Sequence, residues 1–431
     1  VPTPDIVDSL DGLCYYRFLP MLHSGRLMGM VQSKSDECLG LHDIAEDLRQ
    51  RIVEGELPPG ERLPGHRELV QRYDSSGVTV QRAMELLIKQ GFVESIPRKG
   101  RFVSQRPPHS HRVGVVFPGR PEKIRSYRWT RYLAAVRAAT RRINQENSWD
   151  LVPYFDIEPF SDGRLTESYR SLMEDVQSDR LAGLIFSYSP HHLHETDLLG
   201  ERPLPMVICC GGQKPWGPTV GVDRDAVLDK AVSHLIGKNR SRLAWMMIMK
   251  QDPRCLRPRL RELQERYRFY SPTRWIQPMD PYNPQWIQHS LEVLLSGRAD
   301  ERPDGLVVMD DHLVGPTVKA LKTLKVEVPE TLSVVGYWNF PLDSLEDVPV
   351  TRLGMDTEQQ IRSALGEVRK IIHGNLTADH TEIEPIFAEE FEKRYSTDAY
   401  VRFEASSSGT EEGTGASSGD VEPVYEATFQ S

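Results

Sequence analysis

Apolar strands and amphipathic helices alternate through most of this chain, from Arg112 to about His373. The first run, 112–118, is short and mostly apolar, which is typical of a strand buried on both faces of a parallel sheet. A helix is predicted at 127–144, and the alternation spans about 260 residues in all. It predicts doubly wound α/β sheets. Because one hydrophobic core rarely serves so many residues, we expect two lobes with a cleft between them.

The other elements of this region are predicted from the same periodicities. In chain order they are strand 150–155, helix 165–177, strands 182–187, 205–210 and 220–223, helix 225–236, strand 242–247, helices 257–267 and 284–295, strand 305–309, helix 312–324, strand 333–337 and helix 357–373. We expect a two-lobed domain at 112–403. Its first lobe is predicted at about 112–238 and 350–375, and its second at about 239–349 and 376–403.

Residues 41–104, which precede the lobes, follow a different pattern. Apolar residues recur there at steps of three and four, which marks one face of a helix; they are Leu41, Ile44, Ala45, Leu48 and Ile52. Two more short helices and two strands are predicted next, at about 66–73, 78–90, 92–96 and 101–103. The Ser76 hydroxyl can cap the third helix. This order of elements predicts a winged helix-turn-helix, whose third helix suits the DNA major groove.

The charge of this segment differs from that of the whole chain. Between Leu57 and Arg106 there are nine Lys and Arg against five Asp and Glu, a net charge of +4, whereas the chain has a net charge of −9. A basic segment in an acidic protein favours binding to nucleic acid. The turn between the two strands would place Arg98 and Lys99 near backbone phosphates or the minor groove. The alternative is a solvated helical domain with ordinary surface charges.

Four short motifs of this segment resemble the winged-helix domain of the GntR family of bacterial transcription regulators. They are Pro59-Gly60-Glu61-Arg62-Leu63-Pro64, Arg67-Glu68-Leu69, Thr79-Val80-Gln81-Arg82-Ala83 and Gly100-Arg101-Phe102-Val103. The resemblance implies DNA contacts from Arg67, Ser76, Thr79, Gln81 and Gly100. The family often has Arg where Gly77 and Gln81 stand here. With the basic residues added, the candidate DNA-binding residues are Arg62, Arg67, Ser76, Thr79, Gln81, Arg82, Arg98, Lys99, Gly100 and Arg101.

A second resemblance covers about 112–397. Pro303-Asp304, Asp310-Asp311, Val328-Pro329 and Ser333-Val334-Val335-Gly336 resemble the signature of the ligand-binding domain of LacI/GalR-type regulators, which is similar to periplasmic sugar-binding proteins. The resemblance implies an effector in the cleft between the lobes. Its ligand-binding Asp corresponds to Asp311, and its ligand-binding Arg corresponds to Arg259 or Arg257, of which we prefer Arg259.

The other ligand-binding positions of the family match this sequence less directly. Trp338-Asn339 stands where the family often has Asp-Asp, so a bidentate acceptor for sugar hydroxyls is replaced. Trp338 could stack on a sugar face, and Asn339 could bond a hydroxyl. Three further candidates follow the first strand, where the family lines its cleft: Arg125, Tyr127 and Trp129. For each of these residues the alternative is surface packing or a hinge contact.

The remaining segments and the cysteines limit the class of protein. Residues 1–40 form an extension without a clear period, 105–111 form a stiff linker that contains two prolines, and 404–431 form an acidic tail that we expect to be disordered. The five cysteines show neither metal-ligand spacing nor a disulfide framework. No apolar run is long enough to span a membrane, and no signal peptide precedes the first strand. We therefore expect a cytoplasmic protein.

Together these observations predict a ligand-responsive transcription regulator, which we expect to be a repressor. Its combination of domains resembles that of arabinose-type repressors. The expected partners are operator DNA, a sugar-like effector and a second copy of the chain, with no cofactor, metal ion, catalytic residue or membrane. Two alternatives stay open: an enzyme with a pyridoxal-phosphate-binding domain behind a DNA-binding head, and a solute-binding transport protein.

Overall fold

The computed structural model describes residues 39–117, 127–146, 148–157, 160–161, 164–193, 196–200, 204–211, 217–248, 253–342 and 349–395. The predicted acidic tail and residues 1–38 of the predicted extension lie outside the described residues, as does Arg125. None of the helices within these ranges is long and apolar enough to cross a membrane.

The N-terminal unit has three helices and a two-stranded antiparallel hairpin. They are α1 (Leu41–Val53), α2 (His66–Tyr73), α3 (Gly77–Lys89), β1 (Val93–Ile96) and β2 (Gly100–Val103). The apolar face of each helix is buried in one core, with Ile44, Leu48, Leu69, Met84 and Phe92 at its centre. Asp74 adopts a left-handed conformation at the end of α2, and Ser76 caps α3. This is the predicted winged helix-turn-helix.

Strands and helices alternate through the rest of the described chain. In order they are β3 (Arg112–Val116), α4 (Tyr127–Gln145), β4 (Asp150–Tyr154), β5 (Phe160–Ser161), β6 (Arg164–Leu165), α5 (Glu167–Gln177), β7 (Gly183–Phe186), α6 (Asp197–Gly200), β8 (Met206–Ile208), β9 (Thr219–Val222), α7 (Arg224–Gly237), β10 (Leu243–Ile248), α8 (Pro253–Tyr267), β11 (Ile276–Met279), α9 (Pro284–Leu295), β12 (Gly305–Val308), α10 (Asp311–Thr323), β13 (Ser333–Phe340), β14 (Thr351–Asp356), α11 (Thr357–Ile372), β15 (His380–Ile383), β16 (Ile386–Phe387) and α12 (Ala388–Tyr395).

The large strands form two six-stranded sheets. The first has the order β15-β9-β8-β7-β3-β4 and is parallel throughout. The second has the order β11-β10-β12-β13-β14-β16 and is parallel except at its β16 edge. Helices cover both sheets, so the predicted fold class, a winged helix-turn-helix followed by a two-lobed α/β domain, is confirmed.

The division of the chain between the lobes differs from the predicted division. Strand β14 lies in the second sheet, where six of its residues pair with β13, and helix α7 packs in the core of the second lobe. Strand β15 pairs with β9 in the first sheet. The chain thus changes lobes after β9, after β14 and after β15. Strand pairing decides which sheet a strand joins. A pairing partner far along the chain does not change the local pattern of apolar residues, so this pattern cannot predict the pairing.

The predicted linker at 105–111 packs against both of its neighbours. The His109 ring stacks on Phe92 of the winged helix, with ring centroids 5.9 Å apart. The Arg106 guanidinium donates to the backbone oxygen of Ser148, at 2.9 Å, in the first lobe. Close by, the Nε of Arg49 on α1 lies 3.8 Å from an Asp179 carboxylate oxygen of the first lobe. The winged helix therefore packs against the first lobe, and the linker is not the sole connection between them.

Candidate DNA-reading surface and effector cleft

Helix α3 has one buried face and one exposed face. Val80, Ala83, Met84 and Leu87 are buried in the core of the winged helix. The opposite face presents polar and charged side chains together with Val78, whose exposed fraction is 63%. Val78 is absent from the predicted DNA-binding residues, although its position off the apolar stripe is a usable signal. An exposed methyl-bearing side chain on a reading helix can contact the methyl group of thymine.

Polar contacts organise the start of α3. The backbone N–H of Thr79 donates to the Ser76 hydroxyl at 3.1 Å, and the two hydroxyls share a hydrogen bond of 2.8 Å. At Gly77, a Cβ atom would lie 3.1 Å from Nε2 of His66. The His66 ring therefore occupies space that the Arg usual at this position in the family would enter. Arg67 on α2 and Arg82 on α3 are both exposed.

The tip of the wing is a tight turn. The N–H of Lys99 donates to the Ile96 carbonyl at 3.0 Å, and Arg98 adopts φ +65°. Gly100 has φ +117°, which favours glycine, and its Cα faces the Arg62 guanidinium closely enough that a Cβ would lie 3.3 Å from Nε. The side chains of Arg98 and Lys99 are exposed. The turn thus presents two cations beside a third, Arg62, at its base.

Two predicted DNA contacts are bonded to each other. The Arg101 guanidinium on the wing donates to the side-chain oxygen of Gln81 on α3. The Gln81 amide in turn donates to Glu85 at 2.8 Å. This chain of bonds links the wing to the reading helix. Gln81 would have to exchange these partners before it could bond a base edge, so we expect it to act mainly by positioning the wing.

A cavity of about 580 Å³ opens between the two lobes. Its walls come from the C-terminal ends of the strands of both sheets, the usual place for ligands in doubly wound folds. Most of its lining surface is apolar. The polar lining residues are Tyr132, Arg224, Asp225, Arg259, Asp310, Asp311, His312, Tyr337, Asn339 and Gln360. A small molecule with both apolar and hydrogen-bonding groups fits such a lining.

Three of the predicted effector residues line this cavity: Arg259, Asp311 and Asn339. Arg259 is held by Glu262, with 2.6 Å between nitrogen and oxygen. The described atoms do not include the side chains of Tyr127 and Trp129, although both residues lie in α4. Six polar lining residues are absent from the predicted effector set and its motifs: Tyr132, Arg224, Asp225, His312, Tyr337 and Gln360.

The prediction that Trp338 stacks on a ligand is wrong. Its side chain is 2% exposed and packs in the core of the second lobe, where its ring nitrogen donates to the Leu342 carbonyl. Side chains alternate between the two faces of a strand. Along β13, Tyr337 and Asn339 face the cavity, so Trp338 faces away. The period of two was a signal in the sequence that could have excluded it.

Hydrogen bonds connect α4, α11 and β9 along the first-lobe wall of the cavity. The Tyr132 hydroxyl donates to the Gln360 side-chain oxygen at 3.0 Å, and the Gln360 amide donates to the Val220 carbonyl at 2.9 Å. Burial raises the pKa of Tyr132, so its hydroxyl keeps its proton. The thiol of Cys209 is also buried here, and burial raises its pKa. A protonated buried thiol packs as a small apolar side chain, and Cys209 lies in the core of the first lobe.

The second-lobe wall contains a compact charged triad. Asp310, Asp311 and His312 are the one group in the described ranges whose ligand atoms, all within 4.8 Å of one another, could hold a metal ion. However, Nδ1 of His312 lies 2.9 Å from the Asp310 carboxylate and 2.8 Å from the Asp311 carboxylate. Burial lowers the pKa of His312, but its bonds to the two carboxylates outweigh this effect and raise the pKa to about 9. The ring is then an imidazolium that donates, which leaves Nδ1 no lone pair for a metal.

This triad predicts a pH dependence of stability. An unfolded histidine has a pKa of about 6.5, below the value of about 9 in the folded chain. The stabilisation is therefore complete below about pH 6.5 and is lost as the pH rises towards about 9. We expect the urea midpoint of the wild-type chain to fall across this window more than that of His312→Gln. Identical pH profiles for the two proteins would contradict the assigned protonation.

Two separate segments of the chain match known families. Residues 42–103 match the bacterial regulatory proteins of the gntR family, and residues 232–397 match the periplasmic binding protein-like domain. The arabinose metabolism transcriptional repressor of Halalkalibacterium halodurans is 21% identical over 342 residues, which cover 76% of this chain and 89% of that protein. The repressor of the same name from Geobacillus stearothermophilus is 22% identical, over 72% of this chain and 85% of that one.

Among solved structures, the transcription regulator CcpA of Lactococcus lactis is similar to part of the chain. The similarity covers 64% of this chain and 97% of that one, at 16% identity and a TM-score of 0.47.

Proposed function

We propose that this chain, which joins a GntR-type winged helix to a periplasmic-binding-protein-like domain, is a transcription regulator whose operator affinity changes when a small molecule occupies the cleft. One observation supports this most strongly. An exposed reading helix and a cationic wing belong to the same chain as a cavity of about 580 Å³ between two lobes. A DNA-reading surface coupled to a ligand cavity is the minimum that such regulation needs.

The effector is proposed to be a sugar or a sugar derivative. Two relatives that span most of this chain are named as arabinose metabolism repressors. The cavity offers hydroxyl, amide and carboxylate groups to sugar hydroxyls, from Tyr337, Asn339, Gln360 and Asp310. A ligand that contacts both lobes would change the orientation of the first lobe relative to the second. Because the winged helix packs on that lobe through Arg49 and Asp179, the head would move with it.

A two-fold DNA site would match a homodimer, which we propose as the active form in the cytoplasm. We expect the chain to repress transcription, since the relatives reported above are named as repressors. No observation on the described residues favours the pyridoxal-phosphate enzyme or the transport protein over this function.

The direct test combines DNA selection with a ligand screen. The full chain is used to select binding sites from random DNA, and the selected duplex is then titrated with and without each of a panel of neutral sugars, L-arabinose included. We expect a symmetric site, and we expect at least one sugar both to raise the melting temperature and to change DNA affinity, since ligand and DNA prefer different states. Failure to enrich any DNA sequence would refute the proposed function.

A further inference from the structure

One arginine bridges the two lobes beside the cavity. Arg131 lies on α4, whose apolar face packs in the first lobe. Its Nε lies 3.6 Å from a carboxylate oxygen of Asp311, on α10 of the second lobe. Its guanidinium carbon lies 4.5 Å from the centre of the Trp338 ring, on β13 of the second lobe. A single side chain of the first lobe thus makes an ion pair and a cation–π contact with the second lobe.

Asp311 is fully engaged by protein groups. Asp311 is only 3% exposed to solvent. The Asn339 amide donates to one carboxylate oxygen at 2.7 Å, on the same side as Arg131. Nδ1 of His312 lies 2.8 Å from the other oxygen. A buried carboxylate needs partners of this kind for its charge, and here all of them belong to the chain itself.

We propose that Arg131 is an internal substitute for the effector at Asp311. Its guanidinium neutralises the carboxylate that would otherwise read ligand hydroxyls, and it draws the lobes together without a ligand. The effector is then read by the remaining polar lining of the cavity. The statement about ligand reading rests on the proposed function, whereas the bridge itself does not.

Trp338 and Arg131 belong to the same arrangement. The buried indole presents its face to the guanidinium, and a planar cation is better suited to this stacking than an ammonium group. This gives a physical role to the Trp that stands where the related family often has Asp. It also predicts that Lys at position 131 would replace Arg only in part.

The test uses the full chain without DNA or sugar, so its outcome is independent of the proposed function. Arg131→Ala should lower the melting temperature by about 5 °C or more, because a buried carboxylate loses its partner across the cleft. Arg131→Lys should recover part of this loss. Arg141→Ala, an exposed change on the same helix, should leave the melting temperature within about 1 °C of wild type.

Two further measurements separate a bridge from a general packing effect. In a double-mutant cycle of Arg131→Ala with Asp311→Asn, the combined loss should be clearly smaller than the sum of the single losses. Ethylguanidinium at millimolar concentration should restore part of the lost melting temperature to Arg131→Ala and nothing to Arg141→Ala. An additive cycle, or equal melting temperatures for the two alanine variants, would overturn the proposal.

Discussion

Replacing both Arg67 and Arg82 with alanine is expected to remove most of the operator affinity of the chain. Both side chains are exposed on the helices that form the reading surface, and each Arg is expected to contribute about 1–3 kcal/mol to DNA binding. This corresponds to a loss of roughly 5- to 150-fold for each residue. Fluorescence anisotropy with a selected DNA duplex, repeated at several salt concentrations, measures the loss.

The salt dependence distinguishes the type of contact. A lost phosphate contact lowers the slope of log affinity against log salt by about one, whereas a lost base contact relaxes sequence preference. Arg298→Ala is the matched control, because this Arg is 77% exposed but lies on the second lobe. If the double variant bound DNA as tightly as this control, the proposed reading face would be wrong.

Asp356→Ala is expected to destabilise the whole effector domain. Asp356 is completely buried where the chain passes from β14 to α11. Its carboxylate caps α11 through the N–H of Gln359, at 3.0 Å, and accepts from Arg394 and from the Tyr395 hydroxyl, each at 2.8 Å. Burial and the nearby Asp356 charge raise the pKa of Tyr395, so its hydroxyl stays protonated and donates.

This one carboxylate joins helices of the two lobes, since α11 packs in the first and α12 in the second. Its loss removes a helix cap and two further hydrogen bonds, so the free energy of unfolding should fall by about 2–4 kcal/mol. Urea denaturation measures this change. Asp300→Ala, at an exposed ion pair of the second lobe, should change it by less than about 0.5 kcal/mol. Equal midpoints for the two variants would show that the junction at Asp356 does not stabilise the fold.

The candidate site divides into a part that local pattern could identify and a part that it could not. The cap at Ser76, the exposed side of α3 and the basic wing follow from residues close together in the sequence. The motif that identifies Asn339 also points to Trp338, but strand alternation turns the Trp338 side chain away from the cavity. No local pattern identifies Arg131, since its partner Asp311 is far along the chain and no motif pairs the two.

The local pattern of residues predicts most of the helices, most of the long strands and the order of the domains. Those features depend on contacts between residues a few positions apart, and on apolar periods that local segments contain in full. The sequence pattern does not predict short strands such as β15 and β16, because they contain too few residues to define a period. Long-range contacts place β14 in the second sheet, pack the linker on Phe92 and bring Arg131 to Asp311 of the other lobe. Each of these depends on which distant surfaces meet, and that is settled by the burial of whole faces and by strand pairing rather than by any local run of residues.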